Sequence, residues 1–208
     1  DEIEGNFKIP NYDTHYQMIK NGDKTRVVCL TKTSTDITFV VKSELMSRSF
    51  PSIWIEARAE HKKKFLIGGF YREWAPDGNG TIGAQAEKIE VLTEQIARAS
   101  GMSERVIMVG DANLCRDSWA KDDYRYKTIA EKLKDCLEIN AFKMADIGKT
   151  YFADHATAAG IYPSSAIDHI YYTESCDMKN MRALPNSNTD HYPIVAKVIT
   201  GKARPKKF

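Results

Sequence analysis

The sequence predicts an α/β domain in which antiparallel or mixed β-sheets are covered by helices. Three observations support this class. Short β-rich runs dominate the first third of the chain, helical spacing of apolar residues appears only later, and two further β-rich runs close the sequence. Because strands and helices do not alternate regularly, the order argues against a repeating β-α-β architecture.

The first part of the chain contains four β-rich runs. Residues 26–32 and 37–42 are separated by the polar segment 33–36, which predicts a hairpin between the two runs. Residues 52–59 alternate between apolar and polar side chains, as a half-buried strand does. Residues 65–71 are almost wholly apolar and predict a buried strand.

The second part of the chain adds the predicted helices. Apolar residues recur at helical spacing over 84–100 and again over 126–137. Between these helices, residues 106–109 form a short apolar run that predicts a strand. Two more strands are predicted at 166–173 and 192–199.

Length and composition indicate one folded domain. The chain has 208 residues, of which 42% are hydrophobic and 10% aromatic, enough for a single core. We expect this domain over residues 1–200, followed by a basic tail or the start of a linker at 201–208. No apolar run approaches the roughly 20 residues that cross a bilayer, so a membrane partner is not expected.

The N-terminus and the cysteines bear on the cellular compartment. The acidic start Asp1-Glu2-Ile3-Glu4 is unlike a signal peptide or a transit peptide. The four cysteines, at 29, 115, 136 and 176, form no CxxC pair and show no zinc-site spacing with histidine. We therefore expect reduced thiols and a nuclear or cytoplasmic protein that is not secreted.

Polar motifs lie where predicted strands begin or end. They are Gly110-Asp111-Ala112-Asn113, Ile167-Asp168-His169 and Thr189-Asp190-His191. A rigid strand can direct a side chain at a reacting atom. Together the motifs offer carboxylates for a hard cation, an amide, and a histidine that can face a phosphate. This combination is what metal-assisted phosphodiester cleavage requires.

The motifs also carry a resemblance to a known family. Gly68–Trp74, Gly110–Asn113, Ser165–Ile170 and Thr189–Ile194 together resemble the endonuclease/exonuclease/phosphatase superfamily, over roughly residues 7–199. Within it, the sequence is most similar to the apurinic-type endonuclease domain of non-LTR retrotransposons. The resemblance implies a four-layer α/β sandwich of two packed sheets, nicking of DNA with Mg²⁺ or Mn²⁺, and a reverse transcriptase domain in the same parent polypeptide.

The resemblance assigns catalytic roles to five residues. Tyr71 would contact the scissile phosphate, and Asp111 and Asn113 would orient or deprotonate the attacking water. Asp168 would hydrogen-bond His191, which would face the phosphate as an acid or charge stabiliser. Whether His191 or Asp111 takes the proton of the water stays open at this point.

Four further residues are assigned by the same resemblance. Arg72, Thr150 and Ser165 would contact the substrate phosphate, and Asp190 would belong to the metal-binding side. Family members also carry a metal-binding glutamate on an early strand. The segment Phe7–Tyr12 resembles the stretch just downstream of that glutamate, so the sequence predicts a domain that lacks its first strand-helix-strand unit and this glutamate.

Alternative functions are also compatible with the sequence. The chain could be a catalytically inactive remnant that folds or binds nucleic acid without cleaving it. It could instead be a phosphatase or phosphodiesterase of the superfamily that acts on a phosphoester other than DNA. Residues 78–83 match GxGxxG, but 72–77 separate them from the preceding strand, whereas a dinucleotide site needs its first glycine at the strand end.

Overall fold

Twelve β-strands and two α-helices form within residues 8–17, 25–60, 62–74, 81–161, 163–185 and 188–200, which the computed structural model describes. The strands are β1 (Tyr12–Tyr16), β2 (Val28–Lys32), β3 (Ile37–Val41), β4 (Ser52–Ala59), β5 (Phe65–Tyr71), β6 (Val106–Asp111), β7 (Phe142–Met144), β8 (Tyr151–Phe152), β9 (Ser164–Ser165), β10 (Asp168–Thr173), β11 (Asp177–Ala183) and β12 (Ile194–Ile199). The helices are α1 (Ile82–Met102) and α2 (Lys127–Ile139).

A six-stranded mixed sheet is the centre of the domain. Its strand order is β3-β4-β5-β6-β10-β7, and β1–β2, β8–β9 and β11–β12 form separate two-stranded ladders. Within the large sheet β5 and β6 are parallel, and the remaining neighbours are antiparallel. A parallel pair needs a long crossover connection, and helix α1 supplies it between β5 and β6. The predicted α/β class is confirmed.

Apolar side chains cover both faces of this sheet. One cluster packs Ile89, Leu92 and Ile96 of α1 and Leu133 of α2 with the sheet. On the other side, Ile107 and its buried neighbours pack against partly buried residues of the β11–β12 ladder. Each fully buried aliphatic side chain contributes about 1.5–3 kcal/mol. The sheet is therefore an internal layer, as an α/β sandwich requires.

Helix α1 begins where its sequence provides a cap. The Thr81 hydroxyl accepts a hydrogen bond from the Ala84 backbone N–H at 3.2 Å, which satisfies one of the unpaired amides of the first turn. Residues 75–80, which hold part of the glycine-rich motif, lie outside the described residues. Neither α1 nor α2 is long and apolar enough to span a bilayer.

The predicted hairpin between residues 26–32 and 37–42 is wrong. Both strands form, but β2 pairs with β1, and β3 pairs with β4. Strand β1 was not predicted, nor were β7, β8, β9 and β11, most of which are short. Which strands pair depends on how the folded chain places them side by side. The order of two β-rich runs along the sequence does not determine this.

The other predicted elements are confirmed with small shifts of their ends. The four cysteines are free thiols, as expected. The sequence predicts that the metal-binding glutamate of the family is missing. Glu2 and Glu4, the acidic residues at the N-terminus, lie outside the described residues, as does the basic tail at 201–208.

Candidate active site

Three strands of the central sheet bring Tyr71, Asp111 and Asp168 into one row. Tyr71 at the end of β5 is in register with Asp111 at the end of β6, and Asp111 is in register with Asp168 of β10. Residues in register on neighbouring strands project from the same face of the sheet. Residues separated by tens of positions in the sequence thus become neighbours.

Gly110 makes this row possible. A Cβ atom at this position would lie 1.9 Å from the backbone oxygen of Phe70 on the adjacent strand. Any other residue would force β5 and β6 apart at the point where Tyr71 and Asp111 pair. The glycine of the Gly110-Asp111 motif is therefore required for the close approach of the two strands.

Asp168 and His191 form a hydrogen-bonded pair. Nδ1 of His191 lies 2.9 Å from Oδ2 of Asp168, and because a carboxylate can only accept, Nδ1–H is the donor. This bond raises the pKa of His191 above its usual value, against the opposing effect of partial burial. The pairing leaves Nε2 to interact with a substrate, which is the arrangement expected for an imidazolium that faces a phosphate.

Asp111 has a perturbed acidity. Burial, and to a lesser extent the charge of Asp168, raises the pKa of Asp111 to about 6. Its Oδ1 accepts the backbone N–H of Asn113 at 2.7 Å, and Asn113 itself adopts a left-handed backbone conformation with a φ of 47°. A carboxylate with a pKa near 6 is a better proton acceptor at neutral pH than an ordinary aspartate.

Arg72 is placed as a positioning residue. Its side chain is fully buried, and Nε donates to the Ala112 oxygen at 2.5 Å. One terminal nitrogen donates to the Asn113 oxygen at 2.7 Å, and the other donates to Oε1 of Gln85. The guanidinium thus holds the loop that follows Asp111. The predicted phosphate contact does not suit a side chain with no exposed surface, so we assign Arg72 to loop positioning instead.

Thr150 is also directed inward. The residue is fully buried, and its hydroxyl oxygen accepts the backbone N–H of Ile167 at 3.2 Å and that of Asp168 at 3.0 Å. Its backbone oxygen accepts the N–H of Tyr192 at 2.7 Å. Thr150 therefore ties the strand start at Asp168 to the segment that carries His191. Burial removes it from direct phosphate contact and gives it, like Arg72, a positioning role.

The row of strand ends opens into a cleft of about 650 Å³. Its lining includes the predicted residues Tyr71, Asp111, Asn113, Ser165 and His191, together with Trp74, Arg125, Tyr126, Tyr151 and Ile167. A larger concavity of about 1070 Å³ near Ser34–Thr38 contains none of the predicted site residues, so volume alone does not identify the site.

The sequence motifs did not mark most of the aromatic lining of this cleft. The Tyr151 ring meets the His191 ring edge-on at 5.2 Å, and Trp74 and Tyr126 lie on the cleft wall. Trp74 ends the run Gly68–Trp74 that resembles the family, and this was the one sequence signal that could have marked it. Tyr126 belongs to the apolar face of a predicted helix, and nothing else in the sequence indicated that it lines the cleft. No sequence motif included Tyr151.

Two residues of the cleft, Asp111 and His191, form with the adjoining Asp168 a group that could hold a metal ion. Ligand atoms of Asp111, Asp168 and His191 all lie within 4.8 Å of one another. Oδ1 of Asp111 and Oδ2 of Asp168 already accept hydrogen bonds, which leaves one oxygen of each carboxylate for a cation. Hard divalent cations prefer such oxygens, and a cation would relieve the repulsion that helps to raise the pKa of Asp111. The residues present fit a divalent metal.

Asp190 stands beside this group without belonging to it. Within the described residues, its carboxylate is not one of the three groups that lie within 4.8 Å. Its charge nevertheless contributes to the raised pKa of His191. The backbone oxygen of Asp190 accepts the N–H of Phe152 at 2.8 Å, which fixes the segment before His191. Its role as a metal ligand stays a prediction.

The motifs and the geometry agree with a family comparison. The sequence profile of the endonuclease/exonuclease/phosphatase family matches residues 7–191. The chain belongs to this family. Its members are phosphoester hydrolases, either nucleases or phosphatases, and they generally use divalent metals. The superfamily resemblance drawn from the four motifs is thereby confirmed.

Solved structures with the same fold include both nucleases and phosphatases. The endonuclease domain of TRAS1, a telomere-specific non-LTR retrotransposon, matches with a TM-score of 0.68 and 18% identity over 96% of this chain and 83% of that chain. The Xenopus laevis APE2 catalytic domain matches with a TM-score of 0.68 and 11% identity over 96% and 79%. A mannosyl-6-phosphatase from Bacteroides thetaiotaomicron matches with a TM-score of 0.59 and 14% identity over 92% and 78%.

These likenesses confirm the fold, and the first supports the expected closeness to retrotransposon endonucleases. At such identities they carry no information about substrate. No curated protein sequence matches the chain closely.

Proposed function

We propose that this protein is a divalent-metal-dependent phosphodiesterase that nicks DNA, in the manner of a retrotransposon endonuclease. The observation that carries the proposal is the row of Tyr71, Asp111 and Asp168 across three strands, completed by the 2.9 Å contact between Asp168 and His191. A structural role alone does not require two carboxylates and an imidazole whose ligand atoms lie within 4.8 Å of one another. The choice of DNA as substrate follows the resemblance of the sequence motifs to retrotransposon endonucleases, whose family and fold this chain shares.

The geometry divides the reaction among the cleft residues. Ionised Asp111 accepts a proton as the water oxygen bonds to phosphorus. One P–O ester bond breaks, and the leaving oxygen takes up a proton from solvent to become a hydroxyl. Protonated His191, held by Asp168, stabilises the negative charge that develops on the phosphate. Tyr71 donates a hydrogen bond to a phosphate oxygen. The backbone N–H of Asn113 holds the Asp111 carboxylate in the orientation that contacts the water.

The metal has a defined place in this proposal. Mg²⁺ or Mn²⁺ would be held by the remaining oxygens of Asp111 and Asp168, with Asp190 adding negative charge nearby. When bound, the cation neutralises charge on the phosphate and helps to ionise the water. Ser165 lines the same cleft as His191, so its hydroxyl is proposed to donate a hydrogen bond to a phosphate oxygen.

A phosphatase acting on a small phosphoester is the second candidate. The similarity to a mannosyl-6-phosphatase supports it at the level of the fold. A 3′ phosphatase from Neisseria bound to a product DNA hairpin also has the fold, with a TM-score of 0.59 and 14% identity over 91% of this chain and 80% of that chain.

For the endonuclease proposal, the partner is DNA. A reverse transcriptase domain in the same parent polypeptide is proposed as a second partner, and the nucleus or cytoplasm is the proposed location.

Plasmid nicking tests the proposal. Supercoiled plasmid is incubated with the protein and Mg²⁺ or Mn²⁺, with EDTA and His191→Ala as controls, and phosphate release from mannose 6-phosphate is measured in parallel. We expect metal-dependent conversion to open circles that is lost in both controls. Phosphate release without nicking would favour the second candidate, and the absence of both reactions from the folded protein would indicate a non-catalytic remnant.

A further inference from the structure

Trp74 is the most exposed aromatic side chain of the described residues, with 54% of its surface accessible. One edge of the indole is nevertheless anchored, because Nε1–H donates to the Tyr126 hydroxyl at 3.2 Å. The polar edge of the indole is thus satisfied while much of the ring remains in contact with water. Single exposed apolar residues are ordinary, but an anchored indole inside the proposed reaction cleft is not.

The cleft wall around Trp74 is aromatic and cationic. The Tyr126 ring packs edge-on against Tyr124 with centroids 6.0 Å apart. The guanidinium carbon of Arg125 lies 5.4 Å from the Tyr126 ring centroid, and that of Arg72 lies at 5.6 Å. Tyr126 is therefore held on several sides before any ligand binds. Because Trp74 is hydrogen-bonded to this ring, the indole is preorganised as well.

The distance of Trp74 from the chemistry suits a neighbouring nucleotide. Trp74 follows Tyr71 by three residues, so their Cα atoms are at most about 11 Å apart. Nucleotides along one DNA strand are spaced by about 3.4 Å in a helix. A base within about three nucleotides of the phosphate at Tyr71 can therefore reach the indole.

We infer that the Trp74 indole stacks on an unpaired or extruded nucleobase flanking the scissile phosphate, with Arg125 supplying positive charge for the adjoining backbone. This inference rests on the proposed function and deepens it, because it requires a strand distorted near the cut. All four bases can stack on an aromatic ring, so Trp74 would add to the affinity for DNA and fix the position of the strand in the cleft. It would not select the identity of the stacked base. A nucleobase covers the exposed ring and removes its apolar surface from water.

A double-mutant cycle between protein and DNA tests the inference. The probe is a fluorescein-labelled DNA hairpin, in a series where one nucleotide at a time is replaced by an abasic tetrahydrofuran. Dissociation constants are measured in EDTA, so that binding is read without cleavage. A stacked base contributes about 1–3 kcal/mol, so Trp74→Ala should weaken binding of intact DNA by about 5- to 150-fold, and Trp74→Phe by less.

The abasic series decides whether stacking is the cause. At one or two positions the abasic DNA should bind weakly to the unaltered protein, and Trp74→Ala should weaken it no further. Ile139→Ala, at an 83% exposed residue outside the cleft lining, is the matched control and should leave binding unchanged. Circular dichroism checks that each variant is folded.

The possible outcomes separate this inference from the proposed function. Equal weakening by Trp74→Ala on every abasic DNA, or none on intact DNA, overturns the stacking role even when the protein nicks plasmid. Coupling at a defined position supports stacking even when plasmid is not nicked, in which case the catalytic proposal alone falls.

Discussion

The Nδ1 atom of His191 lies 2.9 Å from Oδ2 of Asp168, although the two residues come from separate segments of the chain. Asp168 begins β10, and His191 precedes β12. The contact fixes which imidazole nitrogen carries a proton and favours the imidazolium form. It brings residues of two predicted Asp-His motifs together in the candidate active site.

Removing the imidazole should cost more than removing its orienting partner. His191→Ala is expected to lower the rate of plasmid nicking by about 10²–10⁴-fold, because a positioned charge-stabilising group is lost. Asp168→Asn should lower it in the same direction. His155→Ala is the control, since His155 lies in an exposed loop and does not line the cleft. A loss at His155 with none at His191 would contradict the assignment.

The pH dependence of nicking should show two limbs. Asp111 acts as the base only when ionised, so kcat/KM should rise with pH as this carboxyl ionises; its pKa is about 6 without metal and lower when a cation lies beside it. His191 stabilises charge only when protonated, so the rate should fall again above its raised pKa. Asp168→Asn should move the alkaline limb to lower pH. Rates that rise through the His191 pKa without a later fall would instead identify neutral His191 as the base.

Asp111→Asn should stabilise the fold in the absence of metal. The folded pKa of about 6 lies above the ordinary value of 3.8, so burying the ionised form costs stability. This cost is absent below about pH 4, grows as the pH rises, and is complete above about pH 6. With a discount for solvent access, urea unfolding in EDTA should show the variant about 1–2 kcal/mol more stable at about pH 7.5. The difference should vanish near pH 4, and a gain that persisted there would contradict this origin.

Metal binding should distinguish the two candidate ligand sets. Asp111→Asn should weaken the Mn²⁺-induced increase in melting temperature more than Asp190→Asn, because only Asp111 belongs to the group within 4.8 Å. Asp117→Asn, at a surface aspartate paired with Arg116, is the control. A larger effect from Asp190→Asn would indicate that Asp190 binds the metal, as the sequence predicted.

Replacement of Arg72 should impair both stability and activity. Arg72→Met leaves the Ala112 and Asn113 oxygens and the Gln85 amide without their buried donor, at a cost of about 2–4 kcal/mol in urea unfolding. Residual activity at low temperature should also fall, since the loop after Asp111 is released. The surface variant Arg98→Ala should change stability by less than about 1 kcal/mol. Full activity in folded Arg72→Met would rule out the positioning role.

Local sequence signals were sufficient to predict most of the elements and several residues of the candidate site. The helices followed from apolar spacing, and the central strands from apolar runs, because both signals are local. Asp111, Asp168 and His191 were found because each stands at the end of a predicted strand, in a motif that a known family shares. A strand end fixes where a side chain is presented, so these residues could be assigned before any contact was known.

Which segments meet became clear only in the folded chain. Adjacent β-rich runs could not show that β2 pairs with β1 and β3 with β4. Arg72 resembled a phosphate ligand until its contacts with Ala112 and Asn113, distant in the sequence, showed that it is buried. The aromatic wall at Trp74 and Tyr126 likewise joins residues from separate segments. Such contacts form because packing and hydrogen bonding act across space, whereas the sequence pattern records only neighbours along the chain.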